Sequence, residues 1–202
     1  MITIGLVGGV ASGKSVVACD FQKLGAGILN GDRIGHEVLN LPSVRDQLID
    51  RWGDKVLDDE TLDRSAIAEI VFDSANPAAQ SELDFLESVT HPEIERILSE
   101  RLNKMSEISR FPIAVIDASV MMKAGWDSLC DRIVFVEAPV ELRRKRAQLR
   151  GLESEQFDAR EASQFSVAEK KQRADIIIDN SGPPQSTFQQ VEEVWQSLLQ
   201  IV

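Results

Sequence analysis

The residues with the clearest chemical potential form the segment 8–15, whose sequence GGVASGKS fits the pattern G-x-x-x-x-G-K-[ST]. Gly8 and Gly13 permit backbone torsions and a close approach of the main chain that a side chain would block. Successive backbone N–H groups in such a loop form a nest for phosphate oxygens, reinforced by the positive end of the following helix. The Lys14 ammonium can reach terminal phosphates, and the Ser15 hydroxyl can ligate Mg²⁺. The pattern predicts a nucleotide-binding P-loop rather than a glycine-rich turn with a solvated lysine.

Two carboxylates follow predicted strands, where catalytic groups of an open α/β sheet are found. Asp32 can orient or deprotonate an acceptor hydroxyl, as phosphoryl transfer to an alcohol requires. Asp32 can equally serve as a helix N-cap. Asp117 can hold Mg²⁺ through water or cap the segment that follows it. Both pairs of alternatives stay open from position alone.

A basic run provides a local positive charge, and it consists of Arg143, Arg144, Lys145, Arg146 and Arg150. On a helix, Arg143, Arg146 and Arg150 would share a face because they are three and four residues apart. Guanidinium groups suit the charge of ATP phosphates and of a transferring phosphoryl group. We interpret Arg144 and Lys145 as a solvated face. His36 and His91 lack the spacing of a metal site.

Short apolar segments alternate with helical patterns along the chain. The predicted strands are 2–7, 26–29, 113–116, 133–136 and 176–178. The predicted helices are 15–24, 44–52, 64–72, 92–108, 139–150, 154–172 and 187–199, with Pro92 as a first helical residue. This alternation predicts a three-layer α/β fold with a five-stranded parallel sheet. The stretch 34–109 is helical throughout and too long for a simple crossover, so we expect part of it to form a separate lobe.

The composition of this chain of 202 residues limits the classes of partner that it can bind. It carries 33 acidic against 22 basic side chains, a net charge of −11, which argues against nucleic acid as the main partner. No apolar run approaches the roughly 20 residues of a membrane-spanning helix, so we expect no membrane partner. The N-terminus lacks the pattern of a secretory signal, and Cys19 and Cys130 match no metal or redox spacing. These features predict a reduced, cytoplasmic protein, either a monomer or a small homo-oligomer.

With these motifs in place, the chain resembles the dephospho-CoA kinase family, P-loop kinases of the nucleoside-monophosphate-kinase type. The resemblance runs nearly end to end, and the P-loop, the His-Pro pair and the closing segment together make it specific. Its segments are GLVGGVASGKS (5–15), NGD (30–32), Leu62-Asp63-Arg64 to Val71-Phe72, His91-Pro92, DRIVFV (131–136) and KKQRADIIIDNSG (170–182). The last fits the family ending K-x-x-x-A-D-x-x-I-x-N-x-G, and Arg146 and Arg150 fall at the lid arginines.

The resemblance implies ATP-dependent phosphorylation of the ribose 3′-hydroxyl of dephospho-CoA, giving CoA and ADP in the last step of coenzyme A biosynthesis. It implies that Lys14, Asp32 and Arg146 are catalytic, with Asp32 as the base. The ATP-binding residues would be Gly8, Gly9, Val10, Ala11, Ser12, Gly13, Lys14, Ser15, Val16, Arg146, Arg150, Asn180 and Gly182. Ser15 would bind Mg²⁺, and Asp32, Arg64 and His91 would bind the acceptor.

The same resemblance divides the single kinase chain into three parts. The core sheet would comprise about 1–35, 110–140 and 174–202, the acceptor-binding lobe about 36–109, and a lid about 141–173. Closure of that lid would exclude water from the phosphates.

Two single residues and one segment depart from the family pattern. Asn30 replaces the first acid of D-A-D, and Val16 stands where Thr is often found. Ser119–Lys123 replaces P-L-L-F-E, so Lys123 reverses a charge near the expected acceptor site. Because Lys14, Ser15, Asp32 and the lid arginines are present, we expect activity to be retained.

Three other functions compete with this one. Another small-molecule kinase, such as a nucleoside monophosphate kinase, fits the P-loop but not the His-Pro and closing segments. A GTP-driven switch fits D-x-x-G at 32–35, but that motif follows the second strand, one strand too early, and Asn103-Lys104-Met105-Ser106 is not the guanine-reading N-K-x-D. A weakened CoA-pocket binding protein is the third alternative, suggested by Lys123.

Overall fold

The computed structural model describes residues 1–59, 61–73, 76–108 and 110–200. Its strands are β1 (Ile2–Gly8), β2 (Gly27–Asn30), β3 (Leu57–Asp58), β4 (Thr61–Leu62), β5 (Ile113–Asp117), β6 (Arg132–Glu137) and β7 (Ile176–Asp179). Its α-helices are α1 (Lys14–Leu24), α2 (Gly31–Val38), α3 (Pro42–Trp52), α4 (Arg64–Phe72), α5 (Ala79–Ile108), α6 (Met121–Ala124), α7 (Val140–Gln148), α8 (Ser154–Ala162), α9 (Val167–Gln172) and α10 (Pro184–Leu199). Two 3₁₀ helices, Gly53–Val56 and Trp126–Leu129, complete the elements.

A five-stranded parallel sheet in the order β2-β5-β1-β6-β7 forms the centre of the fold, which confirms the predicted fold class. The middle strand β1 is buried from Thr3 to Gly8, as its continuous apolar sequence requires. Its alternate residues face opposite layers. Ile4 and Leu6 join a core with Phe21 of α1 and Trp195 of α10. Gly5 faces the other way, where an added Cβ would overlap the Met121 sulfur of α6.

The chain divides into two compact units, residues 1–31 with 99–202, and residues 32–98. The first contains the five-stranded sheet and the predicted lid. The second overlaps the predicted lobe 36–109. No helix among the described residues combines the length and the apolar character that crossing a membrane demands.

The prediction that the stretch 34–109 contains only helices was wrong at one point. β3 and β4 pair antiparallel around Asp59, whose φ is +51°. Two-residue strands are too short to produce the alternation by which strands are predicted. The polar stretch 154–172 is likewise two helices, α8 and α9, separated by 163–166.

We had predicted Pro92 as the first residue of a helix, but it lies inside α5. A proline inside a helix cannot donate the usual backbone hydrogen bond. The Thr90 hydroxyl donates to the Leu86 carbonyl at 2.8 Å, and the buried Ile94 and Leu98 continue the apolar face beyond Pro92. Packing on both sides of the proline therefore outweighs its local preference for a helix start.

Candidate active site

The P-loop connects the end of β1 to the start of α1. Gly13 has a φ of +99°, and a Cβ at this position would collide with the Asn180 amide nitrogen. At Gly8, a Cβ would lie 2.7 Å from the Val136 carbonyl oxygen. Ala11 also has a positive φ, +58°. The alternation of left-handed and right-handed residues turns successive peptides so that their N–H groups converge, which is how an anion nest forms.

Donors from outside the loop hold its carbonyl groups. Lys170 Nζ donates to Gly8 O at 3.2 Å, and Arg143 Nη1 donates to Val10 O at 3.3 Å. Ser12 O accepts from Arg146 Nη1 at 3.2 Å and from Asn180 Nδ2 at 2.8 Å. The loop is thus fixed largely through its carbonyl acceptors, while the Ser12 N–H donates within the loop to Gly9 O at 3.1 Å. N–H groups of the loop that are not used in this way can bind an anionic ligand.

The helix α7 directs its arginines to two sides. Arg143 is 5% exposed, donates from Nε to Ala138 O at 3.1 Å and forms an ion pair with Glu161. Arg146, one turn later, also donates from Nη2 to Asn180 O at 2.8 Å. Arg144 turns away and pairs with Asp158, as expected of a solvated face. Arg150 is exposed and lies past the end of α7, so it does not continue the helical face of Arg143 and Arg146 that we had predicted.

Asn180 and Gly182 follow the end of β7, and the Asn180 amide is one of the groups that hold the loop. The Asn180 side chain is buried, and its Oδ1 accepts a hydrogen bond from Thr187 at 3.0 Å. Gly182 is exposed. Ser12 contributes a buried hydroxyl that makes no hydrogen bond within the described part of the chain. Val16 is exposed in the first turn of α1.

The Ser15 hydroxyl donates to Asp117 Oδ2 at 3.0 Å. Asp117 ends β5, is 5% exposed and stands opposite Asn30 in the register of β2 and β5. Hydroxyl and carboxylate oxygens are ligands that Mg²⁺ accepts. This edge of the sheet can therefore hold the ion that accompanies a nucleotide.

Positive charge surrounds the start of the P-loop. Burial, and then the charges of Lys14 and Arg143, lower the pKa of Lys170 to about 8, while Glu161 opposes the shift. From the sequence we had assigned Lys170 no role and had not predicted that Arg143 would hold the loop. Lys170 begins the closing segment, but a lysine in a polar helical pattern normally indicates a solvated position.

The predicted acceptor residues lie in the second unit. Asp32 is exposed in the first turn of α2, and His91 is half-buried in α5. Arg64 is the first residue of α4, where Asp63 caps the helix by accepting from Ser65 N. The Arg64 Nη1 atom lies 2.9 Å from both ring nitrogens of His36, so the structure brings these two residues together. Lys123 is half-buried in α6, within the first unit.

Known proteins are similar to this chain in both sequence and fold. The sequence profile of the family described as dephospho-CoA kinase matches residues 2–185. A dephospho-CoA kinase from Frankia casuarinae is 36% identical over 201 residues, covering 98% of this chain and 84% of the relative. A Thermus thermophilus crystal structure superposes with a TM-score of 0.80 at 30% identity, covering 98% of this chain and 97% of that one. A Campylobacter jejuni dephospho-CoA kinase structure gives a TM-score of 0.72 at 25% identity, with the same coverage of both chains.

Proposed function

Since this chain belongs to the dephospho-CoA kinase family, we propose that its P-loop binds ATP and that it phosphorylates the ribose 3′-hydroxyl of dephospho-CoA. The products are CoA and ADP, in the last step of coenzyme A biosynthesis. The observation that carries this proposal is the P-loop between β1 and α1, held by α7, α9 and Asn180, in a chain matched by the family over residues 2–185.

Lys14 and the loop N–H groups bind the phosphates of ATP. The Ser15 hydroxyl and the Asp117 carboxylate, already 3.0 Å apart, fit Mg²⁺ because both are hard oxygen donors. Magnesium would neutralise charge on the β- and γ-phosphates. Residues Gly8 to Val16 form the cradle, and the backbone from Asn180 to Gly182 holds the adenine.

Asp32 acts as the general base. As the 3′-oxygen attacks the γ-phosphorus, the hydroxyl proton passes to the Asp32 carboxylate, a new O–P bond forms and the bond to the bridging oxygen breaks. The electron pair of that bond leaves on ADP. Arg64 and His91 bind dephospho-CoA, and the Arg64–His36 contact orients the guanidinium.

Arg146 and Arg150 stabilise the phosphates from the lid, about 141–173. A guanidinium group suits this charge because it is planar, always charged and offers several donors. In the structure Arg146 already links Ser12 to Asn180, so it can act on ATP without a long movement of its backbone. Exclusion of water from this site keeps the phosphoryl group from hydrolysis.

The acidic chain, with its local cationic site, fits two anionic small molecules as substrates, in a cytoplasmic protein that is a monomer or a small homo-oligomer. Asn30 and Lys123 are compatible with turnover because neither supplies the phosphate cradle or the base.

The test is release of ADP by the purified protein with ATP, Mg²⁺ and dephospho-CoA. We expect turnover with dephospho-CoA and not with AMP or another nucleoside monophosphate. Turnover with AMP alone would contradict the proposed acceptor. Binding of ATP without turnover of any acceptor would favour the weakened CoA-pocket protein, and a Lys123→Glu variant would then test whether this residue is responsible.

A further inference from the structure

The Lys170 ammonium is a buried contact of the P-loop. Lys170, in α9, is 3% exposed, and its Nζ atom donates both to Gly8 O at 3.2 Å and to Gln164 Oε1 at 2.6 Å. Its neighbour Lys171 is exposed and pairs with Glu137. Two adjacent lysines of one short helix therefore have opposite environments.

Burial of this lysine is unfavourable unless its contacts compensate. A buried ammonium loses hydration, and Lys14 and Arg143 add repulsion. Glu161 is the acidic group that opposes this repulsion, and it already pairs with Arg143. Lys170 thus lies where the local charge disfavours a cation before any phosphate binds. An anionic ligand on the loop would reverse that balance.

We propose that Lys170 is a positioning residue for the phosphate cradle, which orients the first peptide of the P-loop through the Gly8 carbonyl. The inference rests on the proposed function insofar as the ligand of the loop is ATP. Gln164, in the segment between α8 and α9, holds the other side of the same ammonium, so the contact also ties that segment to the loop.

Peptide geometry explains how a contact on the Gly8 carbonyl fixes the start of the P-loop. Gly8 C=O and Gly9 N–H belong to one planar trans peptide, so they point in opposite directions. Lys170 on the carbonyl side therefore fixes the direction of the Gly9 N–H on the other side. The register that pairs Gly8 with Val136 turns this N–H toward β6, so the ammonium fixes the loop at the point where it leaves the sheet. The positive charge also polarises the peptide, which strengthens its N–H as a donor. Arg143 acts in the same way on the Val10 carbonyl and hence on the Ala11 N–H.

The test compares Lys170→Met, Lys170→Arg and the matched control Lys171→Met. We expect Lys170→Met to lower kcat/KM for ATP by about tenfold or more and to weaken Mg-ADP binding, with KM for dephospho-CoA changed by less than about twofold. Lys170→Arg, which keeps a charged donor, should recover most of the loss. Lys171→Met should match the wild type within about twofold.

Equal ATP parameters in Lys170→Met and Lys171→Met, at equal melting temperature, would overturn the proposal. If Lys170→Met fails to fold, Gln164→Leu carries the same test, because it removes the other anchor of the ammonium. An unchanged KM for ATP in that variant would then contradict the inference.

The two proposals fail separately in this design. Binding of Mg-ADP is measured by calorimetry without any acceptor, so it tests Lys170 even if dephospho-CoA is not the substrate. The wild type could turn over dephospho-CoA while the Lys170 variants keep wild-type ATP kinetics and Mg-ADP affinity. That result would leave the proposed function intact and reject the positioning role.

Discussion

The Ser15 hydroxyl donates a hydrogen bond to the Asp117 carboxylate, with 3.0 Å between Oγ and Oδ2. The contact joins the first turn of α1 to the last residue of β5, two elements 102 positions apart in sequence. The Asp117 carboxylate is buried, and carboxylate oxygens are ligands that Mg²⁺ accepts. We therefore expect this pair to hold the metal ion that accompanies the nucleotide.

Replacing Asp117 with alanine is expected to raise the Mg²⁺ concentration needed for half-maximal activity by about tenfold or more, because loss of a carboxylate that supports a metal ion typically lowers metal affinity by about that factor. The measurement is a Mg²⁺ titration of ADP release at saturating ATP, with melting temperature recorded for each variant. Asp50→Asn, at an exposed position of α3, is the control and should leave the titration unchanged. An unaltered Mg²⁺ requirement in Asp117→Ala would show that this carboxylate does not serve the metal.

Asp32→Asn is expected to lower kcat by about 10² to 10⁴, the usual range for a lost general base, and to leave Mg-ADP affinity within about twofold. Asp32 is the second residue of α2 and not its N-cap, and asparagine has nearly the same size, so the variant removes the proton acceptor with little change to the helix. Single-turnover phosphorylation of dephospho-CoA gives the rate, and calorimetry gives the affinity. A kcat within a few fold of the wild type would exclude Asp32 as the base and favour its role in the first turn of α2.

Arg146→Met is expected to raise KM for ATP by about tenfold or more. The change removes the guanidinium that donates to the Ser12 and Asn180 carbonyl oxygens and that we expect to bind the ATP phosphates. Arg144→Met is the matched control from the same helix. Its guanidinium pairs with Asp158 on an exposed surface, and such pairs contribute little. Similar ATP kinetics for the two variants would contradict the assignment of Arg146 to the ATP site.

The sequence was sufficient for those parts of the structure that local patterns determine. The P-loop and the parallel sheet were predicted because glycine spacing and apolar strands report directly on the backbone that they adopt. Pro92 and the β3–β4 pair were predicted wrongly because tertiary packing, and a turn with positive φ at Asp59, decide them. Neither influence is visible in a window of a few residues.

The contacts of the site were harder to predict from the sequence than the fold was. A run of basic residues predicts positive charge, but it does not say that Arg143 is buried against the loop while Arg144 faces solvent. Lys170 shows the same limit more clearly, because lysine is rarely buried and its neighbour Lys171 is not. Such positions depend on how α7 and α9 pack against the P-loop, which requires the assembled fold.

Nucleotide binding at about pH 8 to 8.5 is expected to be accompanied by proton uptake at Lys170. Burial, together with Lys14 and Arg143, lowers the pKa of this group to about 8 in the free protein, against the opposing charge of Glu161. Phosphates bound on the loop favour the charged form and raise that pKa, so binding takes up a proton and affinity falls as pH rises through about 8. Calorimetry of Mg-ADP binding at pH 8.5 in Tris and in HEPES, whose ionisation enthalpies differ, measures the uptake directly.

Lys170→Arg is the decisive comparison for this proton, because arginine stays charged over the whole range while it retains the donor. Lys14 also lies near the phosphates and is present in both proteins, so the difference between them belongs to position 170. We expect a smaller buffer dependence of the enthalpy in Lys170→Arg, and a weaker fall of its Mg-ADP affinity between pH 7.5 and 9. The same proton uptake in both proteins would mean that another group titrates, and Lys170 would then bind its proton equally in the free and bound states.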